Sequence, residues 1–417
     1  MSSPINDPGP SQFPLTLAVI GCGQRGKAYT KYALSCPERC KVVAIAEPRP
    51  KTRTHFAVLH KIDSTLVFHT WEDLLVASAE TINTIGKRLA DAVLIAVQDH
   101  LHAQVAVAFA AQGYHILCEK PMATSVQDCI KIETAINDSR KIFGMGHVMR
   151  YSPYSREITE IVRSGILGEL INIVQVEPVG YYHFAHSYVR GNWSKEQSSS
   201  FSLMTKCCHD IDLICHWFYP AIPVKVSSFG SLKHFRKSAK PKAAGGATRC
   251  LECPIEKDCA YSAKKIYLDP MTHGNTDWPV ETIVDGLPDI ENVTDALKKV
   301  VNIEFSNGST ASFTMVAFTE AICDRQTRLH FSHGEIIGDM NTFTVSDFRK
   351  RTIKGLIKSF VDAVSTGQQD LLGTNASEVL KSHLTVFAAE KSRRTGTIVD
   401  CIAFEQEARE ASANESL

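Results

Sequence analysis

The 417-residue chain has no excess of charge of either sign: 45 Lys and Arg stand against 45 Asp and Glu. A neutral chain presents no global field to draw nucleic acid or an anionic membrane surface, so neither is expected as a partner. No apolar run approaches the roughly 18 residues of a membrane-spanning helix. The opening stretch, MSSPINDPGPSQFP, has neither a basic segment nor an apolar core. It reads as a loose polar arm rather than a secretory leader. Internal repeats are absent too. Cysteine is not scarce, at thirteen residues. Yet Cys22 and Cys118 fall inside apolar, strand-like runs, where a thiol packs as a small hydrophobe. The expectation is a cytoplasmic protein with free thiols rather than a disulfide framework.

The length exceeds one ordinary domain, so two are expected. LTLAVIGCGQRGKAYTKYAL is a short apolar run, then Gly21-x-Gly23-x-x-Gly26, then a helical pattern. The next apolar run, KVVAIAEPRP, ends in Glu47, 21 residues after Gly26. Further apolar runs at 91–97, 115–121 and 141–148 alternate with helical patterns. Such alternation predicts a doubly wound parallel sheet. A glycine fingerprint alone is weak. Following a strand, opening a helix and preceding an acid at that distance, it predicts a dinucleotide site. The glycines permit a tight turn and close approach to a pyrophosphate, and the helix N-terminus supplies N–H donors. Gly21, Gly23, Gln24, Arg25 and Gly26 are therefore candidate cofactor-binding residues. Glu47 would accept from the ribose hydroxyls and repel a 2′-phosphate, favouring NAD. Arg49 weakens that preference and leaves NADP possible.

From about residue 150 the texture changes. INIVQVEPVGYYHF, PVKVSSFGSL, KKVVNIEFSNGSTASFTMVAF and RLHFSHGEIIGDM read as strands, with Asn307-Gly308 as a hairpin turn. An α/β domain with a large open, mainly antiparallel sheet is expected. Residues 352–367 and 376–396 read as helices. Lys233–Gly246 reads as a basic, solvated loop. The proposed division is 14–148 and 149–403, with flexible tails at 1–13 and 404–417.

Three segments are rich in reactive side chains. SLMTKCCHDIDLICHWF (202–218) offers Lys206, His209, Asp210 and three cysteines. On a helix, Cys208, Asp212 and Cys215 share a face, as do His209, Asp212 and His216. A metal site, a cysteine nucleophile and an acid/base helix are all conceivable there. YYHFAHSYVRGNW (181–193) is dense in aromatics, His and Arg, a composition suited to sugar C–H faces and hydroxyls. Cys250, Cys253 and Cys259 have metal-like spacing, but a matching second pair does not follow. No metal is expected.

The fingerprint, the CEKPMA stretch and the HSYVRGNW…KCCHDIDL arrangement together resemble the Gfo/Idh/MocA family, which includes glucose–fructose oxidoreductase and inositol dehydrogenase. The resemblance runs over roughly 14–403. It implies a Rossmann domain plus an α/β domain with a large open sheet. It also implies NAD(P)-dependent redox chemistry at a carbinol carbon of a sugar, sugar derivative or cyclitol. The family's Glu-Lys-Pro lysine corresponds to Lys120, and its second-domain helix histidine to His209. Two departures stand out: Thr205 occupies the place of a usual Asp, and Val97-Gln98 that of a usual Thr-Pro.

A histidine is suited to taking a hydroxyl proton near neutral pH. A fixed cation stabilises the developing alkoxide. His209 is thus the candidate general acid/base and Lys120 the candidate stabiliser, with the roles open to reversal. Lys206 is a possible third catalytic member. Gln98, His102, Glu119 and Lys120 join the candidate cofactor site. Arg150, Tyr151, His183, His186, Arg190, Trp193 and Asp210 are candidate substrate contacts. Two other activities fit the same resemblance: a redox-neutral, NAD-dependent glycoside hydrolase, and a non-enzymatic dinucleotide-binding regulator. A broad sheet with one bare face points to a homodimer or homotetramer.

Overall fold

The computed structural model describes residues 14–191, 193–196, 199–231, 234–265, 298–320, 322–339 and 358–414. The expected arm at 1–13, residues 352–357 of an expected helix, the last three residues and the side chain of Arg190 lie outside the described set. The chain divides into two compact units. One is Met1–Glu160 with Val345–Leu384 and Glu405–Leu417; the other is Ile161–Thr344 with Thr385–Phe404.

In the first unit, β1 (Leu15–Ile20), α1 (Gln24–Ser35), β2 (Cys40–Ala46), α2 (Pro50–His60), β3 (Val67–Phe68) and α3 (Trp71–Ile85) are followed by a second half. That half holds β4 (Ala92–Ile95), α4 (His102–Ala111), β5 (His115–Cys118), α5 (Val126–Ser139) and β6 (Phe143–Met145). The six strands are parallel, in the order β3-β2-β1-β4-β5-β6. This is the doubly wound dinucleotide-binding order, as expected from the alternation. β4 is buried at every position because helices cover both faces. Local chemistry sets the helix starts. Thr70 and Asp73 form a reciprocal capping box on α3, and the Ser125 hydroxyl accepts the Asp128 N–H on α5.

The expected boundary at 148 is too simple. Phe360, Val361, Ala363, Val364 and Leu372 lie in the same core cluster as Leu15, Leu17 and Tyr29. The chain therefore returns to the first unit after building the second. Nor is 404–414 a loose tail. Cys401–Asn414 is a helix, and Arg409 pairs with Glu133 of α5 at 2.8 Å.

α6 (Pro153–Ser164) leads toward the second unit. There β7 (Leu170–Pro178), α7 (Tyr181–Phe184), α8 (Ser202–Phe218), β8 (Pro223–Ser231), β9 (Lys298–Phe305), β10 (Thr310–Val316), β11 (Gln326–Phe331) and β12 (Gly334–Asp339) are joined by a short β13 (Val399–Asp400). The seven-stranded sheet runs β12-β11-β7-β10-β9-β8-β13. Among the described strands of this sheet, only β7 and β10 pair in parallel, so the sheet is mixed and mainly antiparallel. β9 and β10 meet at the expected Asn307-Gly308 turn, where Gly308 has φ +83°. One reading fails: residues 181–184 are not an extension of β7. Tyr181–Phe184 form an α-turn and Ala185–Arg190 a π-type turn, begun by Gly180 at φ +85°.

Candidate functional site

The glycine loop occupies the crossing from β1 to α1. Gly21 has φ +92°, and a Cβ there would lie 2.3 Å from the Ala96 carbonyl oxygen. A Cβ on Gly26 would come equally close to the Gly21 carbonyl oxygen. Both positions therefore demand glycine, which leaves the backbone bare ahead of the first turn of α1. Gln24 and Arg25 are exposed beside it.

Glu47, just past β2, is buried. Its Oε2 accepts the Cys22 N–H at 2.8 Å, so the acid is tied directly to the glycine loop. Arg49 closes on the same carboxylate, donating Nε to Oε1 at 2.8 Å and Nη2 to Oε2 at 3.0 Å. Burial pushes the carboxyl up, but the Arg49 hydrogen bonds and the Cys22 N–H outweigh it and hold Glu47 below the usual carboxylate range.

The end of β5 carries the second cluster. Buried Glu119 receives the Tyr29 hydroxyl at 2.9 Å, the Arg25 guanidinium at 3.2 Å, and the backbone N–H of Lys120. Burial, then the neighbouring Glu119 charge, pushes the Tyr29 hydroxyl well up, so it remains a donor. Gly146 lets β6 approach this point: a Cβ there would be 3.1 Å from Glu119 Cα and from Lys120 N. Beyond Lys120, His102 Nδ1 donates to the Pro121 carbonyl at 2.7 Å, and His383 Nε2 accepts the Met122 N–H at 2.9 Å. The half-buried Lys120 side chain thus leaves a backbone clamped before and after it.

Several expected contacts take other partners. His102 is fully buried against backbone carbonyls and acts on the Pro121 segment. Arg25 reaches Glu119. Arg150 pairs with Glu378 at 2.7 Å and donates to the Gly373 carbonyl, while the Tyr151 hydroxyl donates to the Leu372 carbonyl at 2.6 Å. Those two residues fasten the returning segment of the first unit instead of presenting free groups to a substrate. Gln98 is exposed at the start of the turn before α4.

In the second unit, α8 packs on β7 and β10. Asp210 is fully buried, accepting from Arg325 Nε at 2.7 Å, Arg325 Nη2 at 3.2 Å and the Gln175 amide at 2.6 Å. Its carboxylate is thereby committed to the framework, not to a substrate. Arg325 also pairs with Glu177 at 3.1 Å, and Lys206 lies 3.5 Å from Glu177. Two buried acids thus face two cations, Arg325 buried and Lys206 partly so. Burial alone would lower the Lys206 pKa, but Glu177, then Cys323, raise it above the ordinary lysine value, so it stays an ammonium. That withdraws Lys206 as a proton acceptor. His209, 8% exposed, sits three residues along the helix. His183 is half-buried, His186 exposed, and Trp193 packs 6.1 Å from the Tyr188 ring.

Glu177, Gln175 and Arg325 were not singled out from sequence, nor were Tyr29, Gly146 and His383. An acid and an amide on the inward-facing register of β7 were the available cue. Among the described residues, no group of three His, Cys, Asp or Glu side chains is arranged to hold a metal ion. All thirteen cysteines are free thiols. No described helix is long and apolar enough to cross a membrane.

Comparison with known proteins agrees with this fold. Residues 15–147 match the family described as Oxidoreductase family, NAD-binding Rossmann fold, which is Gfo/Idh/MocA. The match covers the parallel-sheet part of the first unit, which is an NAD-binding Rossmann fold. It is 25% identical over 252 residues to YteT of Bacillus subtilis, named as an oxidoreductase, covering 59% of this chain and 57% of that one. It is 25% identical over 146 residues to 2,7-anhydro-N-acetylneuraminate hydratase of Escherichia coli, covering 35% of this chain and 38% of that one. The matches thus span about half or less of these relatives' length. Scyllo-inositol dehydrogenase from Lactobacillus casei, solved with NAD(H) and scyllo-inositol, has a TM-score of 0.65 at 15% identity. That likeness covers 93% of this chain and 99% of the other, and it shows the shared fold.

Proposed function

We propose that the protein is an NAD(H)-dependent oxidoreductase acting on a carbinol carbon of a sugar, sugar derivative or cyclitol. The observation that carries this reading is Lys120, held at the carboxyl end of β5 where open α/β sheets bind ligands, with its backbone pinned by Glu119. The bare Gly21–Gly26 turn would hold the pyrophosphate with Gly23 and Gln24, and Glu47 the ribose. Bound there, NAD supplies the acceptor for a hydride. His209 takes the proton of the reacting hydroxyl, and the Lys120 ammonium lowers the cost of the alkoxide. The buried Lys206 ammonium adds positive potential from the same helix as His209. His183, His186, Arg190 and Trp193 are the proposed sugar contacts.

The hydratase relative favours a second reading. In it the hydride is returned, and the net reaction eliminates or adds across a sugar bond. One experiment separates the two. Purified protein is mixed with NAD or NADP and a panel of sugars, cyclitols and aryl glycosides, following reduced-nicotinamide absorbance and aglycone release together. Accumulating reduced cofactor supports the dehydrogenase; aglycone without it supports the redox-neutral route; neither signal counts against both. Phe229 and Ile337, 62% and 59% exposed on the outer face of the sheet, favour a homo-oligomer. Monomeric sedimentation at micromolar concentration would reject that.

A further inference from the structure

We propose that Lys206 and Cys323 are a covalent modification site, joining through one oxygen atom as Nζ–O–Sγ when the reduced protein meets dioxygen. Nζ lies 2.9 Å from Sγ, closer than nitrogen and sulfur sit at ordinary van der Waals contact. Two separate frameworks hold the pair. Lys206 projects from α8, with its ammonium against Glu177 at 3.5 Å. Cys323 sits in a left-handed backbone conformation, φ +59°, just ahead of β11. Its N–H donates to the Pro178 carbonyl at 2.7 Å, and its carbonyl accepts from the Arg325 backbone at 3.0 Å. Neither residue must search for the other, so the entropic part of the barrier is largely removed. Cys323 is half-buried, which leaves a path for a small neutral oxidant.

The chemistry balances. The Lys206 ammonium, protonated at rest beside Glu177, first gives one proton to solvent, an uphill step that comes before the oxidation. The amine then loses an N–H and the thiol its S–H, and N–O and O–S bonds form. The other oxygen atom leaves as water. Nitrogen and sulfur give up two electrons each, and dioxygen takes four. The bridge would brace α8 to the segment before β11 across 117 residues of sequence. It would also replace a buried cation by a neutral nitrogen, leaving Arg325 to face Glu177 and Asp210. Four thiol equivalents restore both side chains, releasing the bridging oxygen as water and forming two disulfides, so the link is a reversible device and does not depend on the proposed activity.

Peptide mapping by mass spectrometry tests this on the full chain, air-exposed and anaerobic, with and without dithiothreitol. Air-exposed protein is expected to yield a joined peptide containing Lys206 and Cys323, heavier than the two parts by one oxygen less two hydrogens. Dithiothreitol should abolish it, as should Cys323→Ser and Lys206→Arg. The oxidised wild type should also melt at higher temperature than its reduced form, with no such shift in Cys323→Ser. A lone oxygen on Cys323, a joined peptide lacking oxygen, or unjoined peptides after air exposure would each overturn the proposal. Should Lys206→Arg fail to fold, wild type and Cys323→Ser decide the matter alone.

Discussion

The two units handle buried charge in opposite ways. In the first, acids stand just beyond strand ends: Glu47 after β2 and Glu119 after β5. There they meet backbone N–H groups and partly exposed arginines, and they point their chemistry at loops. In the second, charge lies within the sheet. Glu177 is part of β7 and is sealed under α8 with Asp210, Lys206 and Arg325. A strand-end acid is compensated by backbone N–H groups and by arginines that reach solvent. A mid-sheet acid needs a full counter-charge, because desolvation is otherwise prohibitive. The first arrangement is built to meet a ligand, and the second to hold a helix in place.

The widest test of that contrast removes one proposed reacting group from each unit. Lys120→Ala and His209→Ala should each lower turnover by a factor on the order of 10²–10⁴. NAD binding should survive in His209→Ala, as read by cofactor fluorescence. Near-wild-type turnover in either variant would remove that residue from the mechanism.

Next in size is Arg325→Met, which strands Asp210 and Glu177 in the interior. Breaking such a buried pair costs about 3–5 kcal/mol, to be read as a shift in the urea midpoint. Replacing Asp210 by Asn in the same chain should recover part of the loss, because one uncompensated charge disappears. A single-variant cost below about 1 kcal/mol would show that the cluster is better hydrated than its burial implies.

Much of the first unit was legible in the sequence, and little of the second unit's interior was. Gly21, Gly23, Gly26 and Glu47 lie within one βαβ stretch, so their joint meaning can be read from spacing. Glu119, Lys120 and Pro121 are contiguous. By contrast, Arg325 and Asp210 are 115 residues apart, and Gln175 and Asp210 35. No local period links them; only the sheet register brings them together. The same reason explains why Arg150 and Tyr151 were read as substrate contacts. Their partners, Leu372, Gly373 and Glu378, lie more than 220 residues downstream.

Glu47 sharpens the comparison at the strand end. Glu47→Ala removes hydrogen bonds to a charged group, worth about 1.5–3 kcal/mol each, so NAD affinity should fall roughly tenfold or more while NADP affinity falls less. Equal losses would reject Glu47 as the ribose ligand. Freed Arg49 should then favour the 2′-phosphate. The pH sign also follows. Glu47 is held below its unfolded value, so its contribution to stability is present above the ordinary carboxylate range. It is lost as pH falls through the lowered folded value. Glu47→Gln should flatten that acid limb in thermal melts.

The smallest expected effect comes from the outer face of the second sheet. Lys225 and Glu304 pair at 3.1 Å, but their side chains are 53% and 44% exposed. Solvent screens such a pair, and ordering two long side chains offsets the attraction. Lys225→Ala should therefore shift the urea midpoint by less than about 0.5 kcal/mol, and added salt should erase even that. The distance is like that between Arg325 and Glu177 on the inner face, at 3.1 Å. If the two variants cost the same, location would not govern the worth of a charge here. If they differ several-fold at equal separation, burial and not contact distance makes the inner cluster structural.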